Sequence, residues 1–336
     1  MIFKLMEGAD NIWNGTIYLR LMKKERGYMN RGLYLAYVCA GINAVIVGLS
    51  FLFTKTAINI SNPIDTLAFR FTFAFITVLL LVMFKIVKVD LMLKSYYKLI
   101  PLTLFYPTFF FTFQAFGLES VPSSEAGILF ATIPILTTIL ASFFLKEQTS
   151  AYQKLSILTS VFGVFYIFSM KGGTVSISNW VGISLLLISC ISLSGYTVMA
   201  RSLLKTFKPL DITFFMLGIG FFFFNTIAIY QHILNKSLQS MFIPLTNLNF
   251  VVSILFLGIL ASFVTSLLSN FILSKISASQ MSVFSNMSTV VSIIAGGVIL
   301  NEKIYLFHIV GSALIIIGVI GTNLLKDKHI LKRTVT

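Results

Sequence analysis

Residues 116–147 read FGLESVPSSEAGILFATIPILTTILASFFLKE, and residues 271–302 read FILSKISASQMSVFSNMSTVVSIIAGGVILNE. Aligned without a gap at an offset of 155 residues, both stretches are long apolar runs that close on a glutamate, Glu147 or Glu302. Acidic residues are rare in this chain, 11 of 336, so the matched glutamates indicate an internal repeat. Phe116, Leu118, Ser124, Ile139 and Leu145 also recur at this offset. Internal repeats of hydropathy are typical of secondary transporters.

The composition identifies lipid as the solvent of this chain. Hydrophobic residues make up 57% of the sequence, charged residues 11%, and mean hydropathy is +0.93. A soluble domain has about 25% charged residues, so this surface is too apolar to be solvated by water. The apolar runs are long and continuous, which favours helices over the short alternating strands of a membrane barrel.

Ten apolar stretches are long enough, or nearly so, to span a bilayer as helices. They are residues 33–58, 64–84, 97–118, 121–145, 152–170, 180–204, 210–231, 248–272, 278–300 and 306–325. We therefore predict an all-α polytopic membrane protein with two five-helix repeats, residues 31–171 and 178–325. A basic N-terminal segment (1–30) precedes them and a basic tail (326–336) follows.

The distribution of basic residues predicts the orientation. Most of the 25 lysines and arginines fall in the N-terminal segment, the tail and alternate loops, which predicts a multi-pass protein of the cytoplasmic membrane with both termini inside. This bias explains the net charge of +14 without a nucleic-acid partner. Because each half has five helices, the second half enters the membrane from the opposite side, an inverted repeat around a central cavity.

The polar stretch before Met29 lacks the apolar core of a secretory signal. One hypothesis is that translation begins at Met29 or at Met22. The cysteines, Cys39 and Cys190, both lie inside predicted helices, so they are expected to pack as small side chains and not to form a disulfide or a metal site.

Several segments resemble the EamA family of the drug/metabolite transporter superfamily. They are the small-residue opening helix of residues 48–55, the Ala68-Phe69-Arg70 run in helix 2, and the segment from Ser124 to Glu147 with its mid-helix Pro134. The resemblance covers about residues 31–325. It implies a basket-like bundle with a cavity lined by helices 1, 3, 4, 6, 8 and 9, and export or exchange of small metabolites, often amino acids.

Polar side chains on these helices are the candidates for substrate contact, because a polar group facing lipid is costly. Small hydroxyl residues also serve helix packing, so the amides and tyrosines carry the prediction. The predicted substrate-binding residues are Asn43, Tyr106, Gln114, Tyr196, Asn270 and Asn286.

Three charged residues near the membrane are predicted as substrate or gate charges: Lys55, Arg70 and Glu125. Lys55 and Arg70 are placed toward the outer helix ends, where each binds a substrate carboxylate, extends to the headgroups or pairs locally, as Arg70 with Asp65. The bilayer centre contains no predicted Asp, Glu or His, which favours a zwitterionic or neutral solute. Pro134 lacks an N–H and predicts a kink near the middle of helix 4, which serves either as a hinge or only to shape the cavity.

The alternatives are a sugar-phosphate or nucleotide-sugar exchanger, which needs converging basic residues, and a polytopic membrane enzyme, which needs an acidic or His/Asp cluster. A channel is a further alternative. The aspartates and histidines are scattered in sequence, and no phosphate-binding loop of the GxxxxGK[ST] type occurs. We therefore expect no enzyme activity, no catalytic residue, no metal and no cofactor, and a small solute and membrane lipid as partners.

Overall fold

The computed structural model of the chain describes residues 21–90, 96–120, 129–130, 132–170, 180–299 and 305–324. Within these ranges the regular structure is helical, as the composition predicts. The outward faces of the helices carry exposed large apolar side chains such as Phe143, Phe222 and Leu306. This surface suits lipid and agrees with a polytopic membrane protein.

The helices are numbered here in chain order. They are α1 (Leu21–Ile60), α2 (Pro63–Met83), α3 (segments Tyr96–Leu99, Ile100–Thr103, Leu104–Phe109 and Phe110–Ser120), α4 (Ile133–Phe144), α5 (Ala151–Met170), α6 (Trp180–Leu203), α7 (Pro209–Leu234), α8 (segments Leu248–Leu255, Phe256–Val264 and Thr265–Lys275), α9 (Ala278–Ile299) and α10 (Leu306–Leu324). A short 3₁₀ turn, Ser240–Thr246, joins α7 to α8.

Among the described residues, six helices are long and apolar enough to cross a membrane, namely α1 from Gly32, α2, α3, α6, α7 and α8. Two shorter apolar helices lie at Ile133–Phe144 and Leu306–Thr322. The predicted ten spans and their inverted arrangement stay predictions. α1 begins at Leu21, well before the predicted start at Leu33, because Lys, Glu and Arg are good helix formers.

The bundle is tied at both ends by polar contacts. At the far end, where α1 finishes, Asp65 accepts from its N-cap residue Asn62 and lies 2.9 Å from Nε2 of His232 in the last turn of α7. At the near end, where α1 starts, both carboxylate oxygens of Glu147 face the first residues of α9, Ala278 and Ser279. The contact of Asp65 with His232 and that of Glu147 with Ala278 each join elements far apart in sequence.

The core of the bundle is apolar and rich in phenylalanine. Phe71 of α2 stacks on Phe224 of α7, with ring centroids 5.1 Å apart, and meets Phe111 of α3 edge to face at 5.3 Å. In soluble proteins, aromatic pairs in these geometries contribute about 0.5–1.5 kcal/mol to stability beyond the energy of burying the surface of the rings. These contacts pack α2 against both α3 and α7.

Glycines allow α5 and α10 to approach until their backbones touch. A Cβ on Gly318 would lie 2.5 Å from the carbonyl oxygen of Ser156, and one on Gly163 would lie 2.7 Å from the carbonyl oxygen of Gly311. Real Cβ atoms do not come this close to backbone. The two glycines, Gly163 and Gly318, therefore serve as close-packing points, as small residues do between membrane helices.

We predict that Gly318→Ala lowers the melting temperature of the purified protein. The added methyl group has to push α10 away from α5, and overpacking of this kind costs about 1–3 kcal/mol. Gly41→Ala in α1 is the control, because a Cβ there has nothing within 4 Å. Equal melting temperatures for the two variants would contradict the close packing of α5 and α10.

Candidate functional site

A cavity of about 210 Å³ lies inside the bundle. Its wall comes from α1, α3, α6, α8 and α9, with Phe130 and Ile133 at the start of α4 and Arg70 from α2. Apart from α2, these are the helices that the resemblance implied. Polar residues of α1 that share one helical face, Asn43, Ser50 and Thr54, all line it, as expected for side chains seven and four residues apart.

Two of the helices that build the cavity are irregular where they face it. In α3 the backbone of Tyr106 is extended (φ −147°, ψ 121°) and Pro107 follows within a π-helical segment. Proline removes a backbone donor, so the helix cannot continue regularly there. In α8 the segment Phe256–Val264 is π-helical. Such interruptions are frequent at functional sites and at the binding sites of transporters.

The interruption at Tyr106 turns its ring onto an aromatic wall. Tyr106 stacks on Tyr196 of α6, with centroids 4.7 Å apart and planes 26° apart, and lies 5.4 Å from Phe110 and 5.2 Å from Phe111. All four rings border the cavity. The wall presents flat apolar surface to one side of a bound solute.

Tyr196 is held in place by a hydrogen-bond chain behind the wall. Its hydroxyl donates to Oδ1 of Asn270 at 2.9 Å, and Nδ2 of Asn270 donates to Oγ1 of Thr213 at 2.9 Å. Asn270 is 0% exposed and is not one of the cavity-lining residues. The structure thus places Asn270 behind Tyr196, in contact with its hydroxyl and not with the cavity.

The other predicted amides face the cavity directly. Asn43 lines it, and its buried Oδ1 has no hydrogen-bond donor among the described residues. Asn286 of α9 lines it and donates to Oγ of Ser160 in α5 at 3.0 Å. Gln114 of α3 also contributes to the wall. These amides offer both donors and acceptors to a solute.

Arg70 is placed differently from the sequence expectation. It is 6% exposed and lines the cavity. The expectation that it extends to the headgroups or pairs with Asp65 is wrong, because Asp65 binds His232 and Arg70 points inward. Its Nε donates to Oγ of Ser262 at 2.7 Å and its terminal nitrogen Nη2 to the carbonyl oxygen of Ala261 at 2.9 Å.

Three predicted residues fall outside what the structure describes. The side chain of Lys55, and the whole of Glu125 and Glu302, lie outside the described residues. Pro134 is described, and it occupies the first turn of α4 after a turn at Thr132, where its missing N–H costs little. The kink predicted in mid-helix is therefore a break at which a helical segment begins. The hinge role stays a prediction.

Sequence reasoning passed over the phenylalanines of the wall, Phe110, Phe111 and Phe130. The chain has 34 phenylalanines, most of them equally suited to lipid, so composition could not single these out. A signal was present in the run Tyr106-Pro107, since a proline inside an apolar helix marks an interruption beside which cavity residues cluster. Glu147, the glutamate that closes the first copy of the repeated segment, caps the start of α9.

Comparison with known proteins places this architecture in a family. The profile of the EamA-like transporter family matches residues 34–169 and again residues 180–324. The "Uncharacterized transporter YcxC" of Bacillus subtilis (strain 168) is 43% identical over 293 residues, 87% of this chain and 94% of that protein. An "Uncharacterized transporter" of Archaeoglobus fulgidus is 28% identical, over 84% of this chain and 96% of that protein.

A solved structure titled "Crystal structure of protein" has a similar fold, with a TM-score of 0.71, 17% identity, and coverage of 87% of this chain and 99% of that chain. At this identity the likeness speaks for the fold alone. Two matches to one family profile, a relative that is 43% identical along nearly its whole length, and the apolar helices described above lead to one conclusion: this multi-pass membrane protein belongs to the EamA-like transporter family.

Proposed function

We propose that the chain is a secondary transporter that exports a small metabolite, an amino acid or related zwitterionic or neutral solute, across the cytoplasmic membrane by alternating access. The observation that carries this proposal is the polar and aromatic cavity enclosed between α1, α3, α6, α8 and α9. A membrane-embedded helix tolerates so many amides and hydroxyls only where they meet protein or a solvated solute.

The size of the cavity supports a small cargo. Its volume of about 210 Å³ lies below the roughly 300–1,000 Å³ of most small-molecule pockets, which suits a small metabolite better than a nucleotide sugar. The rings of Tyr106 and Tyr196 and the amides of Asn43 and Gln114 all line the cavity, which suits a solute with both apolar and polar parts.

The contacts at the near end support the alternating-access mechanism. Glu147, three residues after the end of α4, accepts from the start of α9, and Gln280 of α9 reaches the hydroxyl of Tyr37 in α1 at 3.5 Å. These contacts bridge helices that line the cavity, so breaking them would open a path to it from the near end. The distribution of basic residues predicts that both termini lie inside, and on that prediction the near end is the cytoplasmic one.

The alternatives receive less support. A sugar-phosphate or nucleotide-sugar exchanger needs several cations around its cargo, and Arg70 is the single cationic side chain of the cavity wall in the described part of the chain. A metal-dependent membrane enzyme needs a ligand cluster, and in the ranges that the structure describes no three His, Cys, Asp or Glu side chains come together in one.

Counterflow in proteoliposomes tests the proposal. We expect saturable exchange for at least one member of a panel of amino acids and related metabolites, and we expect Gln114→Ala in the cavity wall to weaken it. Gln231→Ala is the matched control, because Gln231 is exposed in the last turns of α7. Flux that grows without saturation would indicate a channel, and no exchange of any solute in the panel would contradict the proposed function.

A further inference from the structure

Arg70 sits in the cavity wall with only neutral partners. Ser262 and Ala261 of α8 occupy Nε and Nη2, and the guanidinium carbon lies 4.4 Å from the centroid of the Phe111 ring. A guanidinium has five N–H donors, so these two acceptors leave most of them unused. Nη1 has no hydrogen bond to any described residue.

The charge of Arg70 is also unbalanced. No acidic side chain forms an ion pair with it among the described residues, and the nearest acid on its own helix, Asp65, is bound by His232. A buried charge without a partner is strongly unfavourable, and charges inside the membrane are found paired or at a functional site. The wall therefore holds a fixed cation whose counter-charge the described protein does not provide.

The guanidinium of Arg70 is held in one orientation by contacts on one edge and one face. Ser262 and Ala261 hold one edge of the guanidinium against α8, and the Phe111 ring covers one face. A planar, anchored guanidinium presents its free edge as a fork, and this geometry matches the two oxygens of a carboxylate. A lysine at this place would offer a point charge without the fork.

We propose that Arg70 binds the carboxylate of the transported solute, so that the cargo is a small carboxylate-bearing metabolite. This inference rests on the proposed function and narrows it, since it excludes neutral solutes. Asn43 lines the same cavity as Arg70 and offers a hydrogen-bond acceptor, because its buried Oδ1 has no donor among the described residues. An acceptor of this kind suits an N–H group of the solute, such as the ammonium of an amino acid.

Ligand-induced thermal stabilisation of the purified full-length protein tests this inference separately from transport. The probes are pairs that differ only at the carboxylate: leucine and leucinamide, phenylalanine and phenylalaninamide, glutamine and glutaminamide, with glycerol 3-phosphate added as a phosphate ester. We expect at least one acid to raise the melting temperature of the wild type, and its amide to bind at least about tenfold more weakly, the loss of a charge-assisted pair.

Arg70→Gln should remove the preference for the acid, and Arg201→Gln is the matched control. Arg201 also donates to a backbone carbonyl of α8, that of Leu273, but lies outside the cavity wall. If Arg70→Gln does not fold, Arg70→Lys keeps the charge without the fork and should bind the acid more weakly. The wild-type comparison of acid with amide needs no variant at all.

Three results would overturn the inference: equal binding of acid and amide, an acid preference that survives in Arg70→Gln, or stabilisation by the phosphate ester and by no carboxylate. Counterflow of neutral solutes together with equal binding of acid and amide would contradict the carboxylate site but not the proposed transport. Absence of counterflow together with stabilisation by the acid alone would contradict the proposed transport but not the carboxylate site.

Discussion

Replacing Asn270 by leucine is expected to lower the unfolding free energy by about 2–4 kcal/mol and to remove most of the transport activity. Asn270 is fully buried and joins the hydroxyls of Tyr196 and Thr213. Leucine has a similar volume but leaves the Tyr196 hydroxyl without a partner, which costs about 1–3 kcal/mol. It also removes the donor to the Thr213 hydroxyl, a hydrogen bond worth about 1 kcal/mol, although that hydroxyl keeps its bond to the carbonyl oxygen of Pro209. Tyr196 then loses the contact that orients its ring on Tyr106.

Tyr196→Phe separates the positioning of the ring from the chemistry of the hydroxyl. The variant keeps the stacked ring and loses one hydrogen bond, worth about 1 kcal/mol, so we expect a smaller fall in melting temperature and substantial remaining counterflow. Asn225→Leu is a control for burying leucine in place of an amide between helices, because Asn225 pairs with Thr72 away from the cavity. Full counterflow by a folded Asn270→Leu protein would contradict the positioning role.

Glu147→Ala is the second change with a large expected effect. The carboxylate of Glu147 accepts from the backbone nitrogen of Ala278 at 3.0 Å, and from the nitrogen and Oγ of Ser279 at 3.4 and 3.2 Å. An acceptor at a helix N-terminus satisfies free N–H groups and meets the positive end of the helix dipole. We expect the loss of this carboxylate to lower the unfolding free energy by about 1–2 kcal/mol. It should also weaken the contact that holds the end of α4 against the start of α9 at the near end of the cavity.

The effect on closure is measured by labelling a cysteine placed at Ser282, a cavity-lining position near the start of α9. Both native cysteines, Cys39 and Cys190, are buried. We expect Glu147→Ala to raise the maleimide labelling rate of Ser282→Cys several-fold in inside-out vesicles. Gln148→Ala, an exposed neighbour, should leave the rate unchanged. Equal rates in all three proteins would show that the contact only stabilises α9.

Much of the site was predictable because polar residues in an apolar chain are informative. The spacing of Asn43, Ser50 and Thr54 indicated a shared face, and that face lines the cavity. Tyr106, Gln114, Tyr196 and Asn286 were selected as costly groups to bury in lipid, and they too line it. The spacing of polar residues did not distinguish these cavity-lining side chains from Asn270, which lies behind Tyr196.

The sequence alone determined the class of the protein and the bounds of most helices. Hydropathy reports how each residue partitions between water and lipid, and α2, α6, α7 and α8 begin and end within a few residues of the predicted stretches. Proline acts on its own backbone, so Pro107 carried a local signal of the irregular segment in α3, although no kink was predicted there. These are local properties, so local sequence carries them.

Only the tertiary structure decided which polar groups meet. Arg70 binds Ala261 and Ser262, Tyr196 binds Asn270, and Glu147 caps α9. Each of these contacts joins helices distant along the chain, and periodicity gives the face of a helix without naming its neighbour. The sequence placed Arg70 only toward the outer end of helix 2. The packing of α2 against α3, α7 and α8 brings it into the cavity wall, where its charge has no acidic partner among the described residues.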